Sequence, residues 1–137
     1  MGLTERLIRG RGLTMSKTEP IMPQDKRVIE AFMSALMPFN DFQTQMPLAY
    51  ILSFLAVVRD EGKPIGIYAL ELDLERFIIG RYFQVLGDRG RHGTPGLGLV
   101  KVKRTRAYPF KTEVHLTAKG RAVVAQVVQN FRRSTQE

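Results

Sequence analysis

Two histidines, one short acidic run and no cysteine limit the covalent chemistry open to this 137-residue chain. The absence of cysteine removes disulfides, thiol catalysis and cysteine zinc sites together. His92 falls in a glycine-rich loop and His115 alternates with Val114 and Leu116 as a surface strand residue, so neither a metal cluster nor a paired base is visible. Glu71, Asp73 and Glu75 read as a solvated turn and helix start, with Asp73 or Glu75 favourable near the positive end of the helix dipole. The glycine-rich stretch 87–98, GDRGRHGTPGLG, follows a helix rather than a strand and lacks a Gly-Lys-Ser/Thr ending. It reads as a mobile connection rather than a phosphate loop, with Arg89 and Arg91 available to a phosphate backbone. We therefore expect no catalytic residue, no metal site and no cofactor, and the chain is not expected to be an enzyme.

What remains is charge. Stretch 98–120, GLVKVKRTRAYPFKTEVHLTAKG, alternates apolar and polar residues on two arms: Val100 and Val102 with Lys101 and Lys103, then Val114 and Leu116 with Glu113 and His115. Arg104, Arg106 and Lys111 flank a tip of Ala107, Tyr108, Pro109 and Phe110. From Lys101 to Lys111 there are five cations and no anion. Such a hairpin either meets a polyanion or is a solvated edge whose lysines block aggregation. The whole chain has 21 Lys and Arg against 13 Asp and Glu, a net charge of +8. That balance favours the polyanion.

The chemistry needs a frame to carry it. With 44% hydrophobic and 25% charged residues the chain has the composition of one globular domain with a single core. No run of 18 apolar residues exists, so no membrane span is expected, and Arg6, Arg9 and Arg11 interrupt any signal-peptide core, which fits a cytoplasmic location. Residues 1–22 read as a flexible basic arm. A helix is expected after Pro23, ending near Pro38, with Val28, Ile29, Phe32, Met33 and Leu36 in one apolar stripe. A polar linker over 40–45 leads to a second helix, with Pro47 at its first position and Leu48, Ile51, Leu52, Leu55 and Val58 as its buried face. Arg59 sits in its last turn and Gly62 stops it.

Two short helices, 65–72 and 74–86, joined by about three residues and followed by the hairpin, describe a winged helix-turn-helix. On the second of them Ile79, Phe83 and Leu86 share the inner face, while Phe77, Arg81, Gln84 and Gly80 turn outward beside Arg76 at its start. A last helix over about 117–133 carries Val123, Val124, Val127, Val128 and Phe131 on one side, a stripe that could line a ligand pocket but more commonly forms a core or a dimer seam. The fold class expected is mostly α with a small β-hairpin, in one domain over 23–137, with the wing at about 98–116.

Residues 46–124 resemble the winged-helix domain of MarR-type bacterial transcriptional regulators. The resemblance rests on MPLAYILSFLAVVRDEG, on Ala69, Leu72 and Leu74 around the turn, and on Arg81 with Val85-Leu86-Gly87. Its most specific block is GLGLVKV followed by VHLTAKGRAVV. The resemblance implies a bacterial or phage homodimer that binds DNA and pairs its first and last helices across a two-fold axis; some members of the family bind small aromatic effectors. Where the family commonly has a polar start to the recognition helix this chain has Glu75-Arg76-Phe77-Ile78, and Tyr108-Pro109-Phe110-Lys111 stands where the family has Asp-x-Arg-Arg.

The residues expected to meet duplex DNA are Arg76, Phe77, Arg81 and Gln84 on the recognition helix, and Lys101, Lys103, Arg104, Arg106 and Lys111 on the wing. The alternative is a protein-interaction module that binds a protein partner through Phe77, Ile67, Ile78 and Leu70.

Overall fold

A computed structural model describes residues 20–42, 46–90 and 93–136. Most of the basic arm, the end of the polar linker and both Arg91 and His92 lie outside the described residues. Five helices and one antiparallel hairpin follow in order: α1 Pro23–Leu36, a 3₁₀ turn Met37–Asp41, α2 Leu48–Arg59, α3 Ile65–Leu72, α4 Arg76–Leu86, β1 Val100–Arg104, β2 Thr112–Leu116 and α5 Ala118–Gln136. This is the expected winged helix-turn-helix. Among the described residues no helix is long and apolar enough to cross a membrane.

Helix α1 starts with Pro23 in its first turn, while the Asp25 carboxylate reaches back to accept the Met22 N–H at 3.0 Å. It buries only Ala31 and Ala35, which let it lie close against α5. Asn130 of α5 donates to the Ser34 carbonyl at 2.9 Å across that seam. Of the expected stripe Leu36 packs against the core, while Val28, Ile29, Phe32 and Met33 face the other way and are each more than half exposed.

Helix α2 crosses the centre of the core, but not on the face expected. Pro47 is its cap rather than its first residue, and the buried side is Tyr50, Ser53, Phe54, Ala56 and Val57. Leu48 and Leu52 are exposed, whereas Ile51, Leu55 and Val58 are partly buried. The reason is that α2 is covered on two sides, by the 3₁₀ turn through an edge-on Phe39–Phe54 contact at 5.9 Å and by α4 through Tyr50–Tyr82 at 4.8 Å. Tyr68 of α3 meets Phe83 of α4 edge-on at 5.6 Å, and its hydroxyl donates to the Asp60 carbonyl while accepting the Lys63 N–H. Every polar group of this buried tyrosine is therefore satisfied.

The turn between α3 and α4 closes on Asp73, which sits in the left-handed region at φ 56°. The Leu74 N–H returns to the Ala69 carbonyl at 2.9 Å. Leu74 is outside both helices and Glu75 is extended, so α4 begins at Arg76 and not at Leu74. Three residues thus separate the two helices.

The hairpin register pairs Val100 with Leu116, Val102 with Val114 and Arg104 with Thr112. The turn after α2 adds to it: the Gly62 N–H donates to the Val114 carbonyl and the Val114 N–H to the Lys63 carbonyl, with Pro64 opposite Glu113. Gly62 sits at φ +87°, where a side chain is strained. The glycine-rich connection is stitched back onto the end of α4 by Leu97 N–H to Val85, Gly98 N–H to Gly87 and Leu99 N–H to Leu86. Thr117 then fixes the start of α5, its hydroxyl donating to the Gly98 carbonyl and accepting the Gly120 N–H. The last helix runs past the expected end near Arg133 to Gln136.

Candidate nucleic-acid interface

Helix α4 is amphipathic in the sense its spacing requires. Ile79, Phe83 and Leu86 are fully buried, and Arg76, Phe77, Arg81 and Gln84 are exposed. Phe77 is 64% exposed, a large apolar surface for a helix that already has a complete inner face. The base of the wing lies against this outer side at two places. One cleft is lined by Gly80 and Gln84 of α4, Asp88 and Arg89 beyond it, and Lys101 and Val102 of β1 with Thr112 of β2. A second, nearer the start of α4, has Arg76 and Phe77 on one wall and Thr112 on the other. The structure therefore brings Gln84 together with Lys101, and places Arg76 and Phe77 against the hairpin. Arg81 is exposed on the same helix but lines neither cleft.

Lys103, Arg104, Arg106 and Lys111 lie farther out along the wing, and all are exposed. Among the described residues none of the five wing cations, nor Arg76 or Arg81, forms an ion pair. Lys26, Arg27, Lys63 and Arg89 are likewise without an ion pair among the described residues. Arg59 is paired with Glu71 and Arg121 with Glu61, on parts of the domain that build the frame. Lys103 stands opposite Glu113 in the register, yet that carboxylate turns to His115, 3.3 Å from Nε2. The wing's positive charge is left unneutralised.

Two expectations are corrected here. Val102 does not bury with Val100; it is exposed at the mouth of the first cleft, because the hairpin leaves the body of the domain after Val100. His115 is not a plain surface strand residue. It is half buried between Glu61 and Glu113, with its ring packed over Gly62. Sequence reasoning missed Thr112, which lines both clefts. Its only signal was the register, which places it opposite Arg104.

At the tip, the Thr105 N–H donates to the Lys111 carbonyl and the Lys111 N–H to the Thr105 hydroxyl, each at 2.8 Å. The Arg104 guanidinium lies over the Phe110 ring, 5.0 Å from its centroid, and Tyr108 meets Phe110 edge-on at 6.2 Å.

A tri-helical core with a basic wing beside an exposed helix is a winged helix-turn-helix fold. The sequence matches no family model, and no curated protein matches it. Solved structures do. A Mycobacterium tuberculosis protein, RV1404, is similar at a TM-score of 0.61 and 17% identity, over 79% of this chain and 66% of that one. A MarR-family transcriptional regulator from Silicibacter pomeroyi is similar at 0.50 and 19% identity, over 80% of this chain and 67% of that one. BpsR from Bordetella bronchiseptica, a protein whose DNA binding is regulated by 6-hydroxynicotinic acid, is similar at 0.50 and 18% identity, over 77% and 76%. The likeness is one of fold, and this chain spans about two thirds of the length of the first two.

Proposed function

We propose that the chain is a DNA-binding transcriptional regulator of bacterial or phage type, acting in the cytoplasm as a homodimer. In this reading α4 enters the major groove and the wing lies along the flanking backbone. The observation that carries it is the run of five unpaired cations on the wing, with no anion from Lys101 to Lys111, beside the exposed outer face of α4. Arg76, Phe77, Arg81 and Gln84 would face base edges, while Lys101, Lys103, Arg104, Arg106 and Lys111 would contact phosphate. The dimer rests on α1, whose outward stripe of Val28, Ile29, Phe32 and Met33 is more than half exposed among the described residues.

Binding to mixed-sequence duplex DNA across a salt series tests the reading. Affinity is expected to fall with salt, at a logarithmic slope of about 0.9 for each phosphate neutralised. A flat response, or no binding at low salt, would end it. The exposure of Phe77 favours one second reading, a protein partner bound through Phe77, Ile67, Leu70 and the partly buried Ile78. Leu70, 77% exposed, belongs to the same pair of helices.

A further inference from the structure

The most exposed large apolar group described is Tyr108, at 87%, and two residues along Phe110 is 54% exposed. Both sit at the end of the wing, on either side of Pro109. Exposed aromatics at a turn are ordinarily a liability, and among the described residues neither ring packs into the core. Yet the tip is held in shape. Two hydrogen bonds between Thr105 and Lys111, one backbone to backbone and one to the Thr105 hydroxyl, close it, Arg104 covers one face of Phe110, and Tyr108 meets it edge-on. A tip ordered before it meets its partner loses less entropy on binding.

We propose that Tyr108, Pro109 and Phe110 form a wedge that enters the minor groove next to the α4 site, partly unstacks a base step and so bends the duplex. The proposal rests on the DNA-binding reading above and says what the tip adds to it. Three observations choose this partner. None of Lys101, Lys103, Arg104, Arg106 and Lys111 around the tip is ion-paired among the described residues, so the tip suits a partner that is negative on both sides. A duplex groove offers that, being walled by phosphates on both sides with a stacked apolar interior between them. The hairpin's base is fixed against α4, and its five-residue arms carry the tip about 17 Å outward. That reach crosses one phosphate strand from a major groove about 12 Å wide into the next minor groove. Finally, Phe and Pro are side chains that unstack base steps when pushed between them from the minor groove. The steps that yield most easily are pyrimidine–purine, above all TA.

Specificity would then come partly from the deformability of a step that α4 never touches.

The test uses the full chain and an end-labelled duplex of about 30 bp with one TA step near its centre and 2-aminopurine beside that step. Three quantities are read on the same sample: affinity against salt, energy transfer between the ends, and 2-aminopurine brightness. Wild type is expected to raise both optical signals at saturation. The double variant Tyr108→Ala, Phe110→Ala is expected to bind severalfold more weakly with its salt slope unchanged, and to leave both signals at their free-duplex values. Phe110→Leu keeps a bulky wedge and is expected to keep the bend. Wild type that saturates the duplex without a change in either signal overturns the wedge and leaves the DNA-binding reading intact. So does a double variant that bends the duplex as far as wild type. Failure of wild type to bind the duplex at low salt overturns both, as does binding only to phosphatidylserine vesicles offered in parallel. All the substituted side chains are exposed, and a thermal melt matching wild type certifies each variant.

Discussion

Arg121 closes on both carboxylate oxygens of Glu61, at 2.9 and 2.8 Å, and ties the turn after α2 to the first turns of α5. The same carboxylate accepts the Leu116 N–H at 2.8 Å at the end of β2. Three elements that set the wing's angle therefore meet at one glutamate. Its carboxyl is held below the ordinary glutamate value, first by the Leu116 hydrogen bond, then by the hydrogen bond and charge of Arg121 and by nearby His115, against an opposing effect of burial.

A depressed carboxylate stabilises the fold above its unfolded pKa, about 4.3, and that contribution is lost as pH falls through the lower, folded value. Glu61→Gln is therefore expected to melt below wild type at pH 7, with the two melting temperatures converging in acid. Thermal melts at steps from pH 7 to pH 3 check this. Parallel curves would mean that Glu61 contributes no pH dependence.

Gly120 explains a glycine that motif reading can only note. A Cβ there would lie 2.1 Å from the Leu99 carbonyl oxygen. Leu99 cannot retreat: it is fully buried, its N–H is bonded to Leu86, and that same carbonyl accepts the Thr117 N–H. Alanine gains about 1 kcal/mol of helix propensity over glycine, while forced overpacking costs about 1–3 kcal/mol. Gly120→Ala is expected to destabilise on balance, read as a fall in chemical midpoint with an unchanged denaturant slope. Gly66→Ala in α3, where an added Cβ meets nothing within 4 Å, is the control and is expected to stabilise.

The fold was legible in the sequence where a local signal and the tertiary answer agree. Ile65–Leu72 is read with its observed bounds, and Ile79, Phe83 and Leu86 are the inner face of α4 as their spacing says. Helix α2 is the counterexample. It is apolar around most of its circumference, so periodicity alone could not choose between Leu48 or Leu52 and Tyr50 or Ala56; contacts with Phe39 and Tyr82 made the choice. The stripe on α1 was read correctly as a stripe but points away from the core, since only Ala31 and Ala35 fit the narrow seam with α5. At the site, the charged residues announced themselves. Thr112 did not, because its position between two clefts depends on strand register, and His115 was misread because Glu61 and Gly62, which pack against its ring, come from a turn far away in the chain.

Helix α1 carries the prediction about assembly. If its outward stripe covers that of a second copy, light scattering should give twice the 15.6 kDa chain mass at micromolar concentration. Phe32→Glu with Met33→Glu, both at exposed positions, is expected to give a folded monomer. A wild-type chain that runs as a monomer removes the dimer and any palindromic site with it.

On the wing, Arg104 and Arg106 test where the positive charge goes. If both contact phosphate, Arg104→Ala with Arg106→Ala should lower the logarithmic salt slope by about two units per protomer and weaken all sequences alike. An unchanged slope would place the wing away from the backbone. Arg104 also covers Phe110, so Arg106→Ala alone, expected to lower the slope by about one unit, separates the loss of charge from any change at the tip.

The last prediction decides between the two readings of α4, and it turns on Arg81 and Phe77. Both are exposed, one helical turn apart on the side away from Phe83. In a major groove, Arg81 can take a guanine edge in two hydrogen bonds and Phe77 can pack on a thymine methyl. Loss of such an arginine contact costs about 1–3 kcal/mol on the preferred site and little on random duplex. On a protein partner the order reverses: Phe77, as a buried aromatic anchor, would carry more of the affinity than Arg81. Selection from a random duplex pool with wild type, Arg81→Ala and Phe77→Ala distinguishes these. We expect a motif from wild type that loses one position in Arg81→Ala, because an unpaired arginine on a helix beside an unneutralised wing is poorly suited to an apolar protein surface. Recovery of no motif by wild type, with salt-dependent but sequence-blind binding, would leave the wing on DNA and assign the Phe77 face to a protein.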